Sequence, residues 1–388
     1  MILEIRLSNF FSIKDEVVLD MRAGSNVMSQ HLQANTFAYK DGQVLKSVAI
    51  YGANASGKSN IIKAIRFCAS LIYLSHTHNE STVFNFYPFK FGNFVQRPSK
   101  FFISFVLNTI EFEYSFSLTT TEIIREELYY YPNGRKAKIF IREESAGKTK
   151  SEIYNFSSVI RKPMDVAENT SRKTLYISRA SQMDREIPKD IFNFFNETFA
   201  FQSQINNTQA METQLLNNKD ILLKALHIAD SDIVDISLRK SLTTFHKVND
   251  KVPFDFALEE SSGTQMLFFM MLKIIDVVKN NRLLLIDEIE SSLHCKIVEY
   301  IVGLFHASNS AQIIYTTHNT NLLQLNKLRK DQIYFVNKCD DGSSDLYSLF
   351  DYKDFRETMD IEKAYLQGRF DAIPYINNSL DNLKTLIR

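Results

Sequence analysis

The chain has 388 residues, 45% hydrophobic and 23% charged, with a formal net charge of +0. That describes an ordinary soluble globular protein, long enough for two or three packed lobes around a large core. Global charge points to no nucleic-acid partner, so only a local basic patch leaves one open. The three cysteines, Cys68, Cys295 and Cys339, lie far apart without a C-x-x-C. They exclude a zinc ribbon or hook and point to a reducing compartment. No signal-peptide pattern opens the chain and no apolar stretch reaches about 18 residues, so a cytoplasmic protein with no membrane contact is expected.

In chain order, residues 2–7 alternate as a strand, and the turn S-N-F-F-S-I-K-D leads to a second strand over 16–21. Both are expected at the edge of the lobe that follows. Residues 22–47 read as irregular, with a turn at Asp41-Gly42. The apolar run 48–51 is a buried strand, and 60–74 has helical apolar spacing. Between them, YGANASGKSN (51–60) fits G-x-x-x-x-G-K-[ST] through Gly52, Gly57, Lys58 and Ser59. Strand, glycine loop and helix form a phosphate cradle of backbone N–H groups at a helix N-terminus. Lys58 is placed for the β- and γ-phosphates and the Ser59 hydroxyl for Mg²⁺.

His76 and His78 fall in a polar loop, and without a third ligand they read as solvated. The aromatic run 84–91 is expected beneath a sheet. Runs 101–107, 110–118, 122–131 and 136–142 predict an antiparallel meander, with a hairpin turn at Pro132-Asn133-Gly134. Residues 145–172 read as a polar loop, 174–178 as a strand and 190–199 as an amphipathic helix. Residues 205–231 are helical but too short for a coiled-coil arm. Strands are expected over 235–242 and 253–258.

Three further stretches carry chemistry. EESSGTQ (259–265) runs into the apolar helix 266–278, which places Ser262 and Gly263 at its N-terminus, where an anion is favoured. The apolar strand Leu283–Ile286 ends in Asp287-Glu288. Asp287 suits Mg²⁺ coordination, and Glu288 suits polarising a water for attack on a γ-phosphate. The strand 312–317 ends at His318, a position from which a side chain can sense that phosphate. A nucleoside kinase or small GTPase needs neither the long insertion before Asp287 nor a Ser-Gly signature.

In this order the motifs resemble the ABC-type ATPases: Walker A (52–59), signature (261–265), Walker B (283–288) and switch histidine (His318). Asn54 in the loop makes it similar to the SMC, RecF and OLD branch. L-S-N-F-F-S-I-K-D, D-E-I-E-S-S-L-H and the late G-R-F-D-A-I-P (368–374) resemble the RloA/AbiL-like and PtuA-like "AAA domain" ATPases of bacterial phage-defence systems. The signature departs from the transporter L-S-G-G-Q, reading S-S-G-T-Q.

The resemblance implies an α/β fold: an ABC-type P-loop ATPase head with an antiparallel β lobe and a helical signature lobe. Its parts would be a Walker A lobe (1–83), the β lobe and insertion (84–200), the signature lobe (201–280), the Walker B and switch strands (281–350) and a C-terminal helical segment (351–388). ATP would be bound by Gly52, Asn54, Ala55, Ser56, Gly57, Lys58, Ser59 and Asn60 of one subunit and by Ser262 and Gly263 of another, in a head-to-tail homodimer. Ser59 and Asp287 would hold Mg²⁺. Glu288, Lys58 and His318 would act in hydrolysis.

Three function classes stay open. The first is a defence ATPase that senses infection and regulates a co-encoded effector, a Toprim-like or HNH nuclease or another toxin. A separate effector is expected because the residues after His318 are too few for a Toprim fold and show no metal-binding pattern. The second is a DNA-repair or DNA-tethering ATPase, for which residues 135–179 carry eleven Lys/Arg against five Asp/Glu. The third is a nucleotide-locked scaffold.

Overall fold

The computed structural model describes all residues except 25–29, 202–207, 230–231, 239–240, 353–358, 375–384 and 386–388. In chain order its strands and helices begin with β1 (Ile2–Ser8), β2 (Val17–Asp20), β3 (Thr36–Tyr39), β4 (Gly42–Leu45), β5 (Ser47–Gly52) and α1 (Lys58–Leu74). The meander β6 (Ser99–Leu107), β7 (Ile110–Leu118), β8 (Ile123–Tyr130) and β9 (Ala137–Glu143) follows. Next come α2 (Lys150–Ile153), β10 (Tyr154–Phe156), α3 (Pro163–Glu168), α4 (Tyr176–Gln182), α5 (Glu186–Thr198), β11 (Phe199–Phe201) and α6 (Thr208–Ile228). The chain continues through β12 (Ile233–Leu238), β13 (Leu242–His246), β14 (Asn249–Asp255), α7 (Ser262–Lys279), β15 (Leu283–Ile286), α8 (Cys295–Ala307) and β16 (Gln312–Thr316). The hairpin β17 (Ile333–Lys338) and β18 (Ser344–Ser348) leads to α9 (Ile361–Leu366).

Two large sheets organise the molecule. One is antiparallel, in the order β10-β9-β8-β7-β6-β1-β2. The other runs β11-β15-β16-β5-β17-β18, parallel except for the edge strand β18. All six residues of β5 are buried, as expected of a strand covered on both faces. Val48, Ile50, Leu283, Leu285 and Ile314 face a core shared with α1, α5 and the antiparallel sheet. Ala49, Tyr51, Leu284, Ile286, Ile313 and Tyr315 face a second core with α6, α7, α8 and α9. The period-2 alternation along each strand thus divides one apolar run between two cores.

Several expectations need correction. β1 and β2 join the antiparallel sheet, and only β2 lies at an edge. Residues 36–45 form a hairpin, β3 with β4, whose turn brings Tyr39 opposite Gly42. The segment 145–172 holds α2, β10 and α3, with a capping box between Thr149 and Glu152 at the start of α2. The run 174–178 is no strand, because Tyr176 opens α4. The buried Glu126 carboxylate takes the Tyr176 and Ile177 N–H groups at 2.7 and 3.2 Å and so satisfies the first turn of that helix. The strands expected over 235–242 and 253–258 are three, β12, β13 and β14, and form a small antiparallel sheet beside the signature helix. Part of the helical stretch 205–231 and much of the C-terminal segment lie outside the described residues.

Candidate functional site

β5, β15 and β16 are parallel neighbours, so their C-terminal tips come together at one edge of the sheet. The tip of β5 carries the glycine loop. Gly57 sits at φ 110, the left-handed region, and forms the N-cap of α1. A Cβ at Gly57 would lie 2.0 Å from Ser344 Oγ and 2.7 Å from Ser12 Oγ, so no other residue fits. Among the described residues, no backbone acceptor takes the N–H groups of Gly57, Lys58 and Ser59. They are the orphan donors of a helix N-terminus. Ser56 Oγ is buried and has no hydrogen-bond partner. Asn54 and Ala55 are exposed, and Ala55 holds φ 60.

Lys58 Nζ donates to Gly52 O and Ala53 O, both at 2.9 Å, which keeps the ammonium at the loop. Burial lowers its pKa, while Asp287, Glu288 and Glu290 act in the opposite direction. The same field reaches His318, whose pKa is lowered by burial and by Lys58 against the pull of those three acids. Lys58, Asp287, Glu288 and His318 therefore share one electrostatic environment.

Strand tips β15 and β16 are stitched together by side chains. Thr316 Oγ1 donates to Asp287 Oδ1 at 2.6 Å and accepts Glu288 N–H at 2.7 Å. Ile289 N–H bonds Thr316 O at 3.1 Å. Glu288 adopts φ 51, a region costly for a residue with a Cβ, and its exposed carboxylate accepts only a 3.5 Å bond from Ser291 Oγ. Of the acids at this tip, Glu290 has both oxygens bonded and Asp287 one, while Glu288 carries only the long contact from Ser291.

Ser261, the N-cap of α7, accepts Thr264 N–H at 3.1 Å, and Ser262 is exposed. Gly263 lies against the Ser292 carbonyl, 3.0 Å from where its Cβ would be. Gln265 Nε2 donates to Phe256 O, Ala257 O and Glu260 O and so ties down the turn before the helix. Among the described residues, no hydrogen bond or ion pair links Ser262 or Gly263 to the 52–60 loop. The structure thus brings together the glycine loop, Asp287, Glu288 and His318, and no bond ties the signature residues to the loop.

Reading the sequence missed several residues at the site. Ser12 Oγ accepts from Asn60 Nδ2 at 2.7 Å, and Ser344 Oγ donates to Ser56 O at 2.5 Å. Asp341 pairs with Lys14 at 2.8 Å, and that contact holds its carboxyl well below the usual range. Thr316 and Thr317 were legible as a T-T-H-N stretch, but nothing in sequence marks a threonine as the partner of an acid far upstream. His76, expected to be solvated, is half-buried and bonds Ser178.

The donor set fits a magnesium nucleotide: free N–H groups around a glycine cradle, a buried unpaired hydroxyl and a lysine facing acids. Ser59 and Asp287 are the residues that could hold Mg²⁺. Among the described residues, no group of three or more His, Cys, Asp and Glu is arranged to hold a metal. An ion shared with phosphates and waters needs no such group.

The protein-family model described as "AAA domain, putative AbiEii toxin, Type IV TA system" matches residues 47–324, more than two thirds of the chain. Among solved structures, the SMC head domain from Thermotoga maritima is similar at 16% identity and TM-score 0.44, covering 89% of this chain and 98% of that one. An SmcHead bound to the C-winged helix domain of ScpA is similar at 19% identity and TM-score 0.44, covering 89% and 97%. No curated protein matches. The family match covers the glycine loop, the signature, the acid pair and the switch histidine, and the chain belongs to this AAA-domain family.

Proposed function

We propose that the chain binds ATP with Mg²⁺ at the 52–60 loop, hydrolyses it, and uses the cycle to regulate a separate toxic effector in anti-phage defence. The observation that carries the reading is the convergence of Lys58, Asp287, Glu288 and His318 at three adjacent strand tips. Backbone N–H groups of the loop and Lys58 bind the phosphates. Ser59 and Asp287 hold the metal, which when bound neutralises charge on the β- and γ-phosphate oxygens. Glu288 orients the attacking water and accepts its proton. His318, whose pKa is lowered by burial and by Lys58, contacts the γ-phosphate. Ser262 and Gly263 of a second copy complete the site across a head-to-tail dimer, a reading that suits the exposure of Ser262 at the start of α7.

The family description, which names a toxin of the AbiEii type, is compatible with a defence role. The DNA-tethering reading loses support from the charge run 135–179. Lys136, Arg142, Lys150 and Arg172 in it are each paired with a glutamate. The deciding experiment is ATP binding and turnover by the purified chain. Lys58→Ala should lose binding. Glu288→Gln should keep binding and slow turnover by roughly 10²-fold or more. Wild-type turnover in Glu288→Gln would refute the assignment. Co-expression with the neighbouring gene product should give toxicity that depends on Lys58.

A further inference from the structure

The strand tip holds three acids, and the reading above uses only two. The third, Glu290, is committed to the switch loop. Its Oε1 accepts the backbone N–H of His318 at 2.5 Å, and its Oε2 accepts the Thr317 hydroxyl at 2.7 Å. Thr317 Oγ1 in turn accepts the Asn319 N–H at 3.0 Å. Glu290 therefore fixes the backbone on both sides of His318, directly on one side and through Thr317 on the other. Thr317 is fully buried and its own N–H bonds Ile50 O at 3.0 Å, so the arrangement is anchored in β5, the strand that bears the glycine loop. A carboxylate of this length offers two acceptor oxygens and so meets both donors at once.

We propose that Glu290 is a positioning residue for hydrolysis, acting through His318: it sets where the imidazole stands relative to the phosphate site and ties the switch loop to the Walker B strand. This rests on the ATPase reading of the site. With both oxygens bonded to the switch loop, Glu290 is of the three acids the one least free to turn toward a water or a metal. Asp287 carries the metal role and Glu288 the water, so each acid has a separate task. Loss of Glu290 frees the His318 backbone, and a misplacement of about 1 Å at such a group can cost up to about 10²-fold.

The test compares Glu290→Ala, Glu290→Gln, His318→Ala and the Glu290→Ala/His318→Ala double variant in the full chain. Glu290→Ala should lower kcat about 10- to 100-fold with KM within about threefold of wild type. The double variant should be no slower than His318→Ala within about twofold, because residues that act as a unit are not additive. Glu290→Gln keeps an oxygen for the His318 N–H and should recover kcat to within about threefold of wild type.

Hydrogen exchange of the nucleotide-free protein gives a readout that needs no turnover. Amides around His318 should exchange at least about tenfold faster in Glu290→Ala. If Glu290→Ala does not fold, Thr317→Val removes only the second bond and should show a smaller loss of the same kind. Multiplicative losses in the double variant, or unchanged exchange at His318, would overturn the proposal. Wild-type turnover in His318→Ala would instead refute the role given to His318 itself.

Discussion

Thr316 Oγ1 lies 2.6 Å from Asp287 Oδ1 and donates to it, while the same oxygen accepts Glu288 N–H at 2.7 Å. One fully buried hydroxyl thereby serves both acids of the pair. It directs Asp287 and holds the Glu288 backbone at its φ of 51. Thr316→Val keeps the shape and removes the hydroxyl, leaving the Glu288 N–H unpaired. Turnover should fall about tenfold or more, and stability by about 1–2 kcal/mol. Steady-state kinetics and a urea melt on the same preparation check both. Unchanged kinetics would show that Glu288 needs no backbone restraint.

What could be read from sequence, and what could not, follows from where the information sits. The glycine loop, the acid pair and α7 are local patterns: turn chemistry, a buried apolar run and an amphipathic period each lie within a short window. The run 174–178 was misread because its helix is decided elsewhere. T-L-Y-I-S has apolar and β-branched residues in the proportions of a strand. Glu126, distant in sequence, supplies the acceptors that open α4, and Arg142 Nη1 bonds Thr174 O at 2.7 Å. Thr316, Thr317, Ser12 and Ser344 are likewise polar residues whose partners the topology brings to them.

The Arg142–Glu126 pair yields a stability prediction. Both side chains are fully buried, and Arg142 Nη2 also meets Glu144 at 2.7 Å. Burial raises the Glu126 pKa, and Arg142 pulls it back down. Arg142→Met should destabilise the chain by about 3–5 kcal/mol, because it leaves a carboxylate buried without its cation. Adding Glu126→Gln should recover part of that loss. Chemical denaturation of the single and double variants measures it. A double variant no more stable than Arg142→Met, with losses that simply add, would show that the pair is not coupled.

His306 predicts acid sensitivity. Its Nε2 is 2.8 Å from Ser47 Oγ, and burial, with Lys46 beside it, pushes the pKa from 6.5 down to about 4. Between those values the unfolded chain binds a proton that the folded chain does not. Stability is therefore lost as pH falls from about 6.5 to about 4, by about 3 kcal/mol at most. His306→Gln cannot titrate there. The difference in melting temperature between wild type and this variant should change across that window and be flat above it. A difference that stays constant from neutral pH to pH 4 would show that His306 carries no such linkage.

The last prediction concerns how two copies share the work. Ser262 is exposed at the start of α7, and no bond joins it or Gly263 to the glycine loop of its own chain. If a second copy supplies the signature, Lys58→Ala and Ser262→Arg damage opposite halves of each composite site. Each variant alone should be inactive, the first for want of the phosphate cation, the second because an arginine fills and overcharges the cap. In a mixed dimer, the loop of the Ser262→Arg subunit meets the intact signature of the Lys58→Ala subunit. One site is whole and the other carries both defects. Random pairing at equal amounts makes half the dimers mixed, each with one good site of two, so turnover should return to roughly a quarter of wild type. Co-expression of the two variants under different tags, with sequential purification of the mixed species, isolates the case. Recovered turnover that follows the mixed dimer supports a site built from two chains. No recovery in a verified mixed dimer would show that each copy completes its own site, and full activity in Ser262→Arg alone would show that Ser262 is no part of the site.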